Sequence, residues 1–551
     1  MASSPRHRYI FVTGGVMSGV GKGIATASIA KIIQSKGFRV SAIKIDPYLN
    51  VDAGTMNPTE HGEVFVLDSG LETDQDMGNY ERFLGVELPP ENYMTSGMVY
   101  RSVILRERAL GYGGRCVEAV PHVVQEILDK LEASVKKTKA EITVVEIGGT
   151  IGDYQNSLFI EAARILKLRK PKEVLFVLVS YLPVPSKIGE MKTRPTQHAI
   201  RTLNSYGVQP DVVIARSHIP LDKKRKEKIA IASNVAMDNI ISAPDIDSIY
   251  EVPINFEKDG LSTIILKHFG LRPKQVDLVE WRKVVDKIKN PNGELQIAMV
   301  GKYFKTGDFV LSDVYLSVIE SLKFAGASLG KRVNLTWIDS ALYEENESKL
   351  KELLFYDGVV VPGGFGKRGV EGIIAAIRFA RENSIPYFGL CYGMQLATVE
   401  YARHKAGLSL ANTTEIDPKT EHPVIDILPD QVEKLKEKNM GGTMRLGGYV
   451  AKLKEGSIAA TAYGKKEVRE RHRHRYEVNP EYIKKLTEAG LVFSGTSPDG
   501  RLMEIAELPK KIHPFFLGTQ FHPEFKSDPL NPHPLFVEFL KAATKRNKDS
   551  Q

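Results

Sequence analysis

The sequence predicts an α/β protein of two domains, each with a mainly parallel sheet flanked by helices. Short apolar runs rich in β-branched residues recur along both halves, as expected for strands that helices cover on both faces. Helix-like stretches alternate with these runs, which is the pattern of parallel α/β sheets. The length of 551 residues is enough for at least two domains of about 100–200 residues each.

The predicted elements follow one another in two series. In the first half the strands are Tyr9–Thr13, Val40–Lys44, Ile142–Ile147, Val174–Val179 and Asp211–Ala215, with helices at Gly23–Lys36 and Pro121–Lys137. In the second half they are Gln296–Val300, Asn334–Ile338, Gly358–Val361 and Pro386–Leu390, then a β-rich part with Gly447–Lys452, Leu491–Thr496 and Phe516–Gln520. A charged segment that ends in Asn290-Pro291-Asn292-Gly293 separates them. We therefore predict domains at 1–270 and 295–545, a linker at 271–294 and a polar tail at 546–551.

Composition excludes several classes of protein. The chain is 42% hydrophobic and 26% charged, with a net charge of +8, and it contains only Cys116 and Cys391. Two cysteines exclude a disulfide scaffold and a Cys-rich zinc site, and they fit a reducing, cytoplasmic location. No apolar run approaches the ~18 residues of a membrane span, so we expect no membrane partner. The basic run Lys223–Lys226 is too short and isolated to predict nucleic-acid binding.

A glycine-rich turn after the first strand resembles a P-loop. Glycines there let backbone N–H groups face an anion, the helix N-terminus adds a positive dipole, and Lys22 adds a charge. The match is imperfect, because Val16 replaces the first glycine and Gly23 replaces the Ser or Thr whose hydroxyl binds Mg²⁺. A turn used only for packing is the alternative. The candidate ATP-binding residues are Ser18, Gly19, Val20, Gly21, Lys22 and Gly23.

Two carboxylates are candidate ligands for Mg²⁺. Asp74 lies in a polar loop, and Glu146 lies near the end of the strand Ile142–Ile147. Ligands of open α/β sheets bind at the carboxyl ends of strands. Mg²⁺ takes one or two carboxylates together with phosphate oxygens. Each residue alone is also typical of a surface or capping carboxylate, but the phosphate loop in the same domain favours a metal role.

Cys391 has the surroundings of a nucleophile. It lies between a predicted strand and a helix in the pattern G-x-C-x-G, which permits the strained turn that projects a nucleophile. His522 follows a strand and can take the thiol proton, while Glu524 can orient the imidazole. The upstream glycine-rich loop, residues 361–366, can supply an N–H to an oxyanion hole. The alternative is a buried structural cysteine, which does not explain the other two pieces.

Together these motifs resemble the CTP synthase family across essentially the whole chain. Cys391 and His522-Pro523-Glu524 alone would indicate only a class I glutamine amidotransferase. The segment Lys192-Thr193-Arg194-Pro195-Thr196-Gln197 and the first-domain runs are specific to the family. The resembling stretches are 11–16, 44–52, 61–66, 192–197 and 471–477.

The resemblance implies a P-loop-like amidoligase (synthetase) domain fused to a class I glutaminase domain. It implies that ATP phosphorylates the 4-oxygen of UTP, and that ammonia from glutamine then displaces phosphate to give CTP. A closed passage for ammonia is expected, because free ammonia would be protonated in water. GTP as activator, CTP as inhibitor, Mg²⁺ as metal and a homotetramer are implied by the family; higher polymers are left open.

The resemblance also assigns residues by position. ATP binding is carried over to residues 18–23 and Asp74, and the metal to Asp74 and Glu146. The passage entrance is carried over to His61. The UTP- or CTP-binding positions are Ser18, Asp153, Tyr154, Gln155, Lys192, Thr193, Arg194, Pro195, Thr196, Gln197 and Lys228. The glutamine-binding positions are Gly364, Tyr392, Gly393, Met394, Gln395, Glu415 and Arg475. The catalytic residues are Cys391, His522, Glu524 and Lys22.

Two departures and two rival interpretations accompany the resemblance. The family commonly has Asp-Ile-Glu where this chain has Asp153-Tyr154-Gln155, and Lys where it has Arg194. The first removes a carboxylate that could bind CTP, and the second changes the geometry of the hydrogen-bond donor at residue 194.

One rival interpretation is another amidoligase such as a cobyrinic acid amide synthase, which does not explain the segment 192–197. The other is a nucleotide-binding scaffold without catalysis, against which the intact set of catalytic residues argues.

Overall fold

The structure is a computed structural model that describes residues 7–57, 61–187, 189–275, 278–302, 305–306, 309–310, 312–427 and 444–550. The chain divides into two compact units. The first consists of Met1–Ala53 and Asp76–Val285, and the second of Gly54–Gln75 and Asp286–Gln551. Both units have a sheet with helices packed on it, which confirms the predicted α/β class.

The strands lie along the whole described chain. In chain order they are β1 (Arg8–Gly15), β2 (Val40–Asp46), β3 (Val64–Val66), β4 (Glu72–Asp74), β5 (Tyr93–Thr95), β6 (Ile142–Ile147), β7 (Val174–Tyr181), β8 (Val212–Ser217), β9 (Ile240–Pro244), β10 (Glu294–Gly301), β11 (Lys305–Thr306), β12 (Phe309–Val310), β13 (Arg332–Asp339), β14 (Gly358–Val361), β15 (Tyr387–Leu390), β16 (Ala411–Thr413), β17 (His422–Ile427), β18 (Arg445–Leu453), β19 (Glu467–His474), β20 (Tyr476–Val478), β21 (Val492–Thr496), β22 (Met503–Glu507) and β23 (Phe516–Thr519).

The α-helices cover both sheets. In chain order they are α1 (Lys22–Ser35), α2 (Gln75–Leu84), α3 (Ser96–Arg108), α4 (Val124–Thr138), α5 (Ser157–Arg169), α6 (Arg194–Ser205), α7 (Lys223–Ser233), α8 (Val252–Lys258), α9 (Leu261–Phe269), α10 (Val279–Lys289), α11 (Leu316–Ser328), α12 (Ala341–Glu345), α13 (Val370–Glu382), α14 (Tyr392–His404), α15 (Ile458–Tyr463), α16 (Pro480–Glu488) and α17 (Pro534–Ser550). None of these helices within the described ranges combines the length and the apolar character that a bilayer span requires.

The first unit is built on a seven-stranded sheet in the order β5-β2-β6-β1-β7-β8-β9. All of its pairs are parallel. The strands are almost fully buried, because helices cover both faces and leave no side for water. β1 lies at the centre, so the loop that follows it opens at the carboxyl edge of the sheet, where β6 and β2 also end.

The second unit is built on a nine-stranded sheet in the order β13-β10-β14-β15-β23-β22-β21-β18-β19. Its first five strands are parallel. The remaining four extend the sheet in antiparallel pairs. β15 and β23 are neighbours, with Leu390 beside Thr519. Residues that follow these two strands therefore meet at one edge of the sheet.

The predicted strands agree with the structure to within two residues at either end. The short strands β5 and β9 and the polar strand β19 were not predicted, because three to five residues or a charged sequence carry little apolar periodicity. The boundaries at 270 and 295 remain predictions. The compact units differ from them, since residues 54–75 pack with the second unit. Helix α10, in the predicted linker, packs Trp281 against Phe83 in the first unit.

The described part of the segment predicted as a polar tail, residues 546–550, belongs to helix α17, and the tail itself stays a prediction. Helix α17 continues to Ser550 instead of fraying. Arg546 donates to the backbone carbonyls of Tyr356 and Leu354, and Asn547 donates to Asp357 at 2.9 Å. These bonds hold the last turns on the second unit although their side chains are polar.

Candidate functional site

The phosphate loop leaves β1 and enters α1 through a run of left-handed residues. Val16, Gly19 and Gly21 have φ of 79°, 68° and 92°. Successive turns of this kind bring backbone N–H groups to one side, where they can hold an anion. Gly21 caps α1, and Lys22 begins it. The Lys22 side chain folds back over Gly14, where a Cβ would lie 2.9 Å from Nζ, so a side chain at residue 14 would displace the Lys22 ammonium group.

The residues of this loop differ in exposure. Ser18 and Gly19 are exposed, whereas Val20, Lys22 and Gly23 are buried. An exposed backbone beside a buried ammonium group is the arrangement that a phosphate chain needs, because the loop stays open to the ligand while the lysine is held in place. Burial lowers the pKa of Lys22, an effect that the Glu146 carboxylate opposes.

A cluster of buried charges lies beside the loop. Lys44 on β2 is in register with Glu146 on β6, and its Nζ lies 3.1 Å from the Glu146 carboxylate. The same ammonium pairs with Asp76 and, at 3.5 Å, with Asp46. The Tyr80 hydroxyl donates to Glu146. Lys44 is therefore shared by three carboxylates at the carboxyl edge of the sheet.

These contacts set the protonation of the two carboxylates nearest the loop. Burial raises the pKa of Glu146, and Lys44 only partly offsets it. Burial acts on Asp76 in the same direction, but the charge and hydrogen bond of Lys44 outweigh it and lower the pKa of Asp76. Asp76 is thus held ionised in the cluster. Glu146 lies next to it and would lose its proton more readily if a further cation were bound there.

Asp76 also explains the glycine that departs from the P-loop pattern. A Cβ on Gly23 would lie 1.9 Å from Oδ1 of Asp76. The carboxylate therefore occupies the space where the Ser or Thr of a standard P-loop would stand. Among the described residues there is no group of three or more His, Cys, Asp or Glu arranged as metal ligands. Two carboxylates suffice for Mg²⁺ when phosphate oxygens complete the shell, so the donor set fits.

Sequence reasoning missed Asp76 and Lys44 at this site. Asp74, which was predicted as a metal ligand, ends β4 and belongs to the second unit, so its role stays a prediction. Asp76 opens α2 two residues later and lies in the first unit with Glu146. The signal was present, because Glu72-Thr73-Asp74-Gln75-Asp76 offers three carboxylates, but a one-dimensional pattern does not tell which of them enters the cluster.

A cavity of about 200 Å³ adjoins the start of α1. Ile24, Ile246 and Phe256 line its apolar part. Arg216 and Asp245 lie at its polar side, joined by a hydrogen bond of 3.0 Å. The cavity has the apolar body and few polar groups typical of a small-molecule pocket. None of these residues was predicted from the sequence.

The residues assigned to uridine nucleotides lie around the start of α6. Arg194 begins the helix and Pro195 occupies its first turn. Thr196 is buried and receives a hydrogen bond from Ser180 at 2.9 Å. Lys192 pairs with Glu190 at 2.7 Å. Thr193 and Gln197 are linked by a bond of 3.3 Å, and Lys228 lies on α7.

The predicted CTP-contacting turn lies after β6. Its first carboxylate, Asp153, accepts a hydrogen bond of 2.8 Å from the Thr150 N–H. Tyr154 and Gln155 are exposed, with Tyr154 97% accessible. Ile151 donates to the carbonyl of Gly14 at 2.8 Å, which ties the turn to the end of β1 beside the phosphate loop.

In the second unit, Cys391 occupies a strained elbow between β15 and α14. Its φ of 50° and ψ of −93° are outside the usual regions for a residue with a side chain. The flanking glycines are sterically required, because a Cβ on Gly389 would lie 2.7 Å from the Gly393 carbonyl carbon and one on Gly393 would lie 2.4 Å from the Val361 oxygen. The Cys391 N–H donates to Thr519 on β23 at 2.6 Å. The predicted elbow geometry is therefore present.

His522 and Glu524, predicted as the partners of this thiol, line the same cavity as Cys391. His522 Nδ1 is 2.7 Å from the Glu524 carboxylate. Burial lowers the pKa of His522, but Glu524 and the Cys391 sulfur outweigh it and raise that pKa to about 10. The imidazole of His522 therefore favours its protonated form beside the Glu524 carboxylate.

The glycine-rich loop after β14 is held on the start of α14 by a buried lysine. Lys302 donates to the carbonyl of Gly366 and, at 3.0 Å, to the Tyr392 hydroxyl. Glu415 accepts from the Gly366 N–H at 2.8 Å, so both backbone polar groups of Gly366 are hydrogen-bonded. Burial lowers the pKa of Lys302 to about 8, against the pull of Glu415 and Glu344. Sequence reasoning missed Lys302.

These parts line one chamber of about 810 Å³ within the second unit. Of the positions assigned to glutamine, Gly364, Gln395, Glu415 and Arg475 line it with Cys391, His522 and Glu524. Tyr392, Gly393 and Met394 are buried behind the wall. Burial raises the pKa of Glu415, and the Gly366 N–H, Lys302 and Arg475 oppose it. The chamber offers a nucleophile, an acid–base pair and charges of both signs.

The chamber wall also includes residues from early in the chain. Residues 54–57 and 63–64 contribute to it. Glu63 accepts from the N–H of Ser317, at the start of α11, at 3.0 Å. Phe65 packs on Phe525, with ring centroids 5.1 Å apart. His61 itself is exposed.

Charged strand β19 holds this early segment in place. Arg469 pairs with Asp68 at 2.9 Å, and Arg473 pairs with Glu72 at 2.8 Å. Arg471 donates to the Val66 carbonyl at 3.1 Å. The alternating charges of β19, which hid it from sequence prediction, are thus the groups that recruit residues 66–72 to the second unit.

Comparison with known proteins places both parts of the chain. Residues 8–271 match the family described as CTP synthase N-terminus, and residues 310–542 match glutamine amidotransferase class-I. The CTP synthase of Carboxydothermus hydrogenoformans is 49% identical over 542 residues, which are 98% of this chain and 99% of that protein. The CTP synthase of Sulfolobus acidocaldarius is 49% identical over 537 residues, which are 98% and 99% of the two chains.

Several solved structures also match part of the chain. The glutaminase domain of Trypanosoma brucei CTPS with bound acivicin is 39% identical, with a TM-score of 0.42, and covers 46% of this chain and 94% of its own. The full-length relatives settle the family. The resemblance seen in the motifs is confirmed, and the chain belongs to the CTP synthase family, whose members are C–N ligases.

Proposed function

We propose that this enzyme converts UTP to CTP, with ATP as cosubstrate and glutamine as the source of nitrogen. The observation that carries the proposal is the presence of two complete sites in one chain. One is a phosphate loop with a buried cluster of charges, and the other is a Cys391 elbow with a His522–Glu524 pair. Relatives 49% identical over nearly the whole chain bear the name CTP synthase, and residues 310–542 match glutamine amidotransferase class-I.

At the glutaminase site the thiolate of Cys391 attacks the side-chain amide carbon of glutamine. The carbonyl oxygen gains negative charge, which backbone N–H groups at the elbow and in the loop 363–366 can stabilise. His522 gives its proton to the leaving nitrogen, so ammonia departs and a thioester forms. Water then attacks the thioester, His522 takes its proton, and glutamate leaves with the thiolate restored. Glu524 keeps the imidazole oriented throughout.

At the synthetase site the γ-phosphoryl group of ATP passes to the 4-oxygen of UTP. A carbonyl oxygen is a poor leaving group, whereas its phosphate ester is a good one. Ammonia then attacks carbon 4, phosphate leaves, and the amine of CTP remains after loss of a proton. Lys22 neutralises phosphate oxygens as charge moves during the transfer. The phosphorylated intermediate is part of this proposal.

Asp76 and Glu146 would hold Mg²⁺ at this site, with Lys44 beside them. The metal would supply positive charge to the phosphate oxygens during transfer. Asp76 supports the assignment better than Asp74, because its carboxylate lies against Gly23 at the start of α1. Its low pKa keeps it ionised, which is the state a metal ligand needs.

The cavity beside α1 would take the base of ATP. It adjoins Gly21, so a nucleotide whose phosphates lie on the loop can place its base there. Arg216 and Asp245 offer a donor and an acceptor at its polar side. The basic positions around α6, with Lys228, would hold the triphosphate of UTP, and the turn 153–155 would read CTP.

Ammonia would pass from the chamber to the synthetase site without release. Free ammonia is protonated in water at neutral pH, and the ammonium ion has no lone pair with which to attack carbon 4 of UTP. Residues 54–57 and 63–64 support this step, because they line the chamber and continue directly in sequence toward Asp76. His61 lies in the same segment and is assigned to the passage by resemblance.

The family resemblance supports the regulatory and cellular part of the proposal. GTP would activate glutamine hydrolysis, and CTP would inhibit synthesis. The working form would be a homotetramer in the cytoplasm. Four measurements test this part of the proposal: the response of activity to GTP, the response to CTP, the mass of the assembly, and the dependence of that mass on nucleotides.

Turnover with two nitrogen sources tests the function. CTP formation from UTP and ATP is measured with glutamine and, separately, with ammonium, for the parent, for Cys391→Ala and for the control Cys116→Ala. We expect the parent and the control to use both sources, and Cys391→Ala to use ammonium alone. Absence of CTP from the parent with either source would refute the function. Failure of ammonium to support well-folded Cys391→Ala would refute the separation of the two chemistries.

A further inference from the structure

The sulfur of Cys391 has a hydrogen-bond donor that the mechanism above does not use. Gln520 lies at the end of β23, two residues before His522, and it is fully buried. Its Nε2 lies 3.6 Å from the Cys391 sulfur. Its backbone N–H donates to the Glu504 carbonyl at 2.8 Å. The residue is therefore fixed at both its main chain and its side chain, next to the reacting atom.

The orientation of the Gln520 amide follows from the groups on its other side. The backbone carbonyl of Tyr476 can only accept, so Gln395 must turn its Nε2 toward it, and the two atoms are 3.0 Å apart. The second hydrogen of that nitrogen faces Oε1 of Gln520 at 3.3 Å. With its oxygen so engaged, Gln520 turns its own nitrogen to the sulfur. A backbone acceptor thus determines the direction of the whole chain of hydrogen bonds.

We infer that Gln520 is a catalytic residue of the glutaminase site, which stabilises the Cys391 thiolate by donating a hydrogen bond to its sulfur. The inference rests on the proposed glutamine hydrolysis. The bond is strongest when the sulfur carries its negative charge, before attack and again as the thioester is hydrolysed. It weakens when the sulfur is bonded to the acyl group. The donor therefore favours the reactive state and the leaving of the thiolate.

The same chain gives Gln395 a second role. Both hydrogens of its side-chain nitrogen are engaged, by Tyr476 and by Gln520. Its Oε1 remains as the atom that can accept a hydrogen bond from the amide of glutamine. The Gln395 side chain can thus bind the glutamine substrate and at the same time orient Gln520, the donor to the Cys391 sulfur.

Alkylation of the thiol tests the inference without turnover. In a Cys116→Ala background Cys391 is the one remaining thiol. The rate of its reaction with iodoacetamide is followed against pH for the parent, for Gln520→Glu, which replaces the donor by an acceptor of equal size, and for Gln520→Met. We expect the pH of half-maximal rate to rise in both variants, more in Gln520→Glu. The glutaminase kcat should fall about ten- to hundredfold, as expected for loss of a bond to a charged group.

Ammonium-dependent synthesis of CTP serves as the measure of folding, because it does not use the thiol. An unchanged alkylation profile together with unchanged glutaminase kcat in both variants would overturn the inference. If Gln520→Glu does not fold, Gln520→Met decides by the same readouts. A shifted alkylation profile in the variants, when the parent itself makes no CTP from either nitrogen source, would support the role of Gln520 and refute the proposed function, so the two failures are distinguishable.

Discussion

Asp76 fills the space that any side chain on Gly23 would need, since its Oδ1 lies 1.9 Å from the position of a Cβ on that residue. The hydroxyl of a standard P-loop is therefore replaced by the carboxylate of Asp76, which lies on helix α2. Lys44 and Asn79 hold this carboxylate through its two oxygens, so it cannot move aside without losing partners. The relationship leads to the first prediction.

Gly23→Ser should damage synthesis although it restores the common P-loop sequence. The new side chain would displace Asp76 from the phosphate loop and from Lys44, and so disturb both the cluster and the metal ligand. We expect CTP formation from glutamine and from ammonium to fall at least tenfold, measured with saturating Mg²⁺. The reaction of Cys391 with iodoacetamide should be unchanged. Full activity with Ser at this position would contradict the steric role of Asp76.

Lys22→Ala should remove CTP formation with either nitrogen source. Lys22 is buried beside the loop, and in the proposed function its ammonium group would neutralise phosphate oxygens during transfer. The change is measured by turnover with glutamine and with ammonium, and the integrity of the other unit by reaction of Cys391 with a glutamine-like electrophile, which should persist. Near-normal synthesis in this variant would refute the assignment of the phosphate loop.

Lys302→Met should impair glutamine hydrolysis and spare ammonium-dependent synthesis. The change removes one of two donors to the Gly366 carbonyl and also the donor to the Tyr392 hydroxyl, which is the other one, so the loop that faces the elbow is held less firmly. We expect a fall in glutaminase kcat/KM of about tenfold or more, in keeping with loss of hydrogen bonds from a charged group. An unchanged value would mean that Glu415 and the Tyr392 hydroxyl, which also donates to the Gly366 carbonyl at 2.9 Å, hold the loop without Lys302.

The same lysine predicts a pH dependence. Its pKa in the folded protein is about 8, lowered from 10.5 by burial, and the groups that face it are Glu415, Glu344 and the Tyr392 hydroxyl. Glutaminase activity should therefore decline as the pH rises through about 8, and this limb should weaken in Lys302→Arg, which stays charged. Unfolding does not explain the decline, because a lowered folded pKa makes this group's contribution to stability rise with pH between 8 and 10.5.

Gln155→Glu should tighten inhibition by CTP. Gln155 is exposed on the turn after β6, where the family commonly has a carboxylate. A carboxylate accepts charge-assisted hydrogen bonds, worth about 1.5–3 kcal/mol against about 0.5–1.5 kcal/mol for a neutral bond. We expect a lower inhibition constant for CTP with little change in the apparent affinity for UTP. Equal or weaker inhibition at fixed UTP would mean that this turn does not read CTP in this way.

Much of the architecture could be predicted from local sequence. The strands β1, β6 and β7 are continuous apolar runs, because both of their faces are buried, and such runs are visible without a fold. The elbow at Cys391 was equally visible, since its two glycines are required by contacts within a few residues and across one strand. Features that depend on short-range sterics and on periodicity can be predicted from the local sequence.

Other parts of the two sites could not be predicted from local sequence. Lys44 and Glu146 are separated by about a hundred residues in the chain, yet parallel strands place them in register. Lys302 belongs to no motif that we recognised, and its role appears only when β10 brings it beneath the glycine loop. The orientation of Gln520 depends on the backbone carbonyl of Tyr476, which no sequence pattern encodes.

The sequence by itself determined the α/β class, the order of the main strands, the phosphate loop, the elbow with its His522–Glu524 pair and the resemblance to the family. Only the tertiary structure decided that Asp76 joins Glu146 at the phosphate loop and that residues 54–75 pack with the second unit. The physical reason is the range of the interactions. Turn sterics and strand burial act between near neighbours in the chain, whereas ion pairs, buried hydrogen bonds and steric exclusion depend on which distant segments the folded sheets bring together.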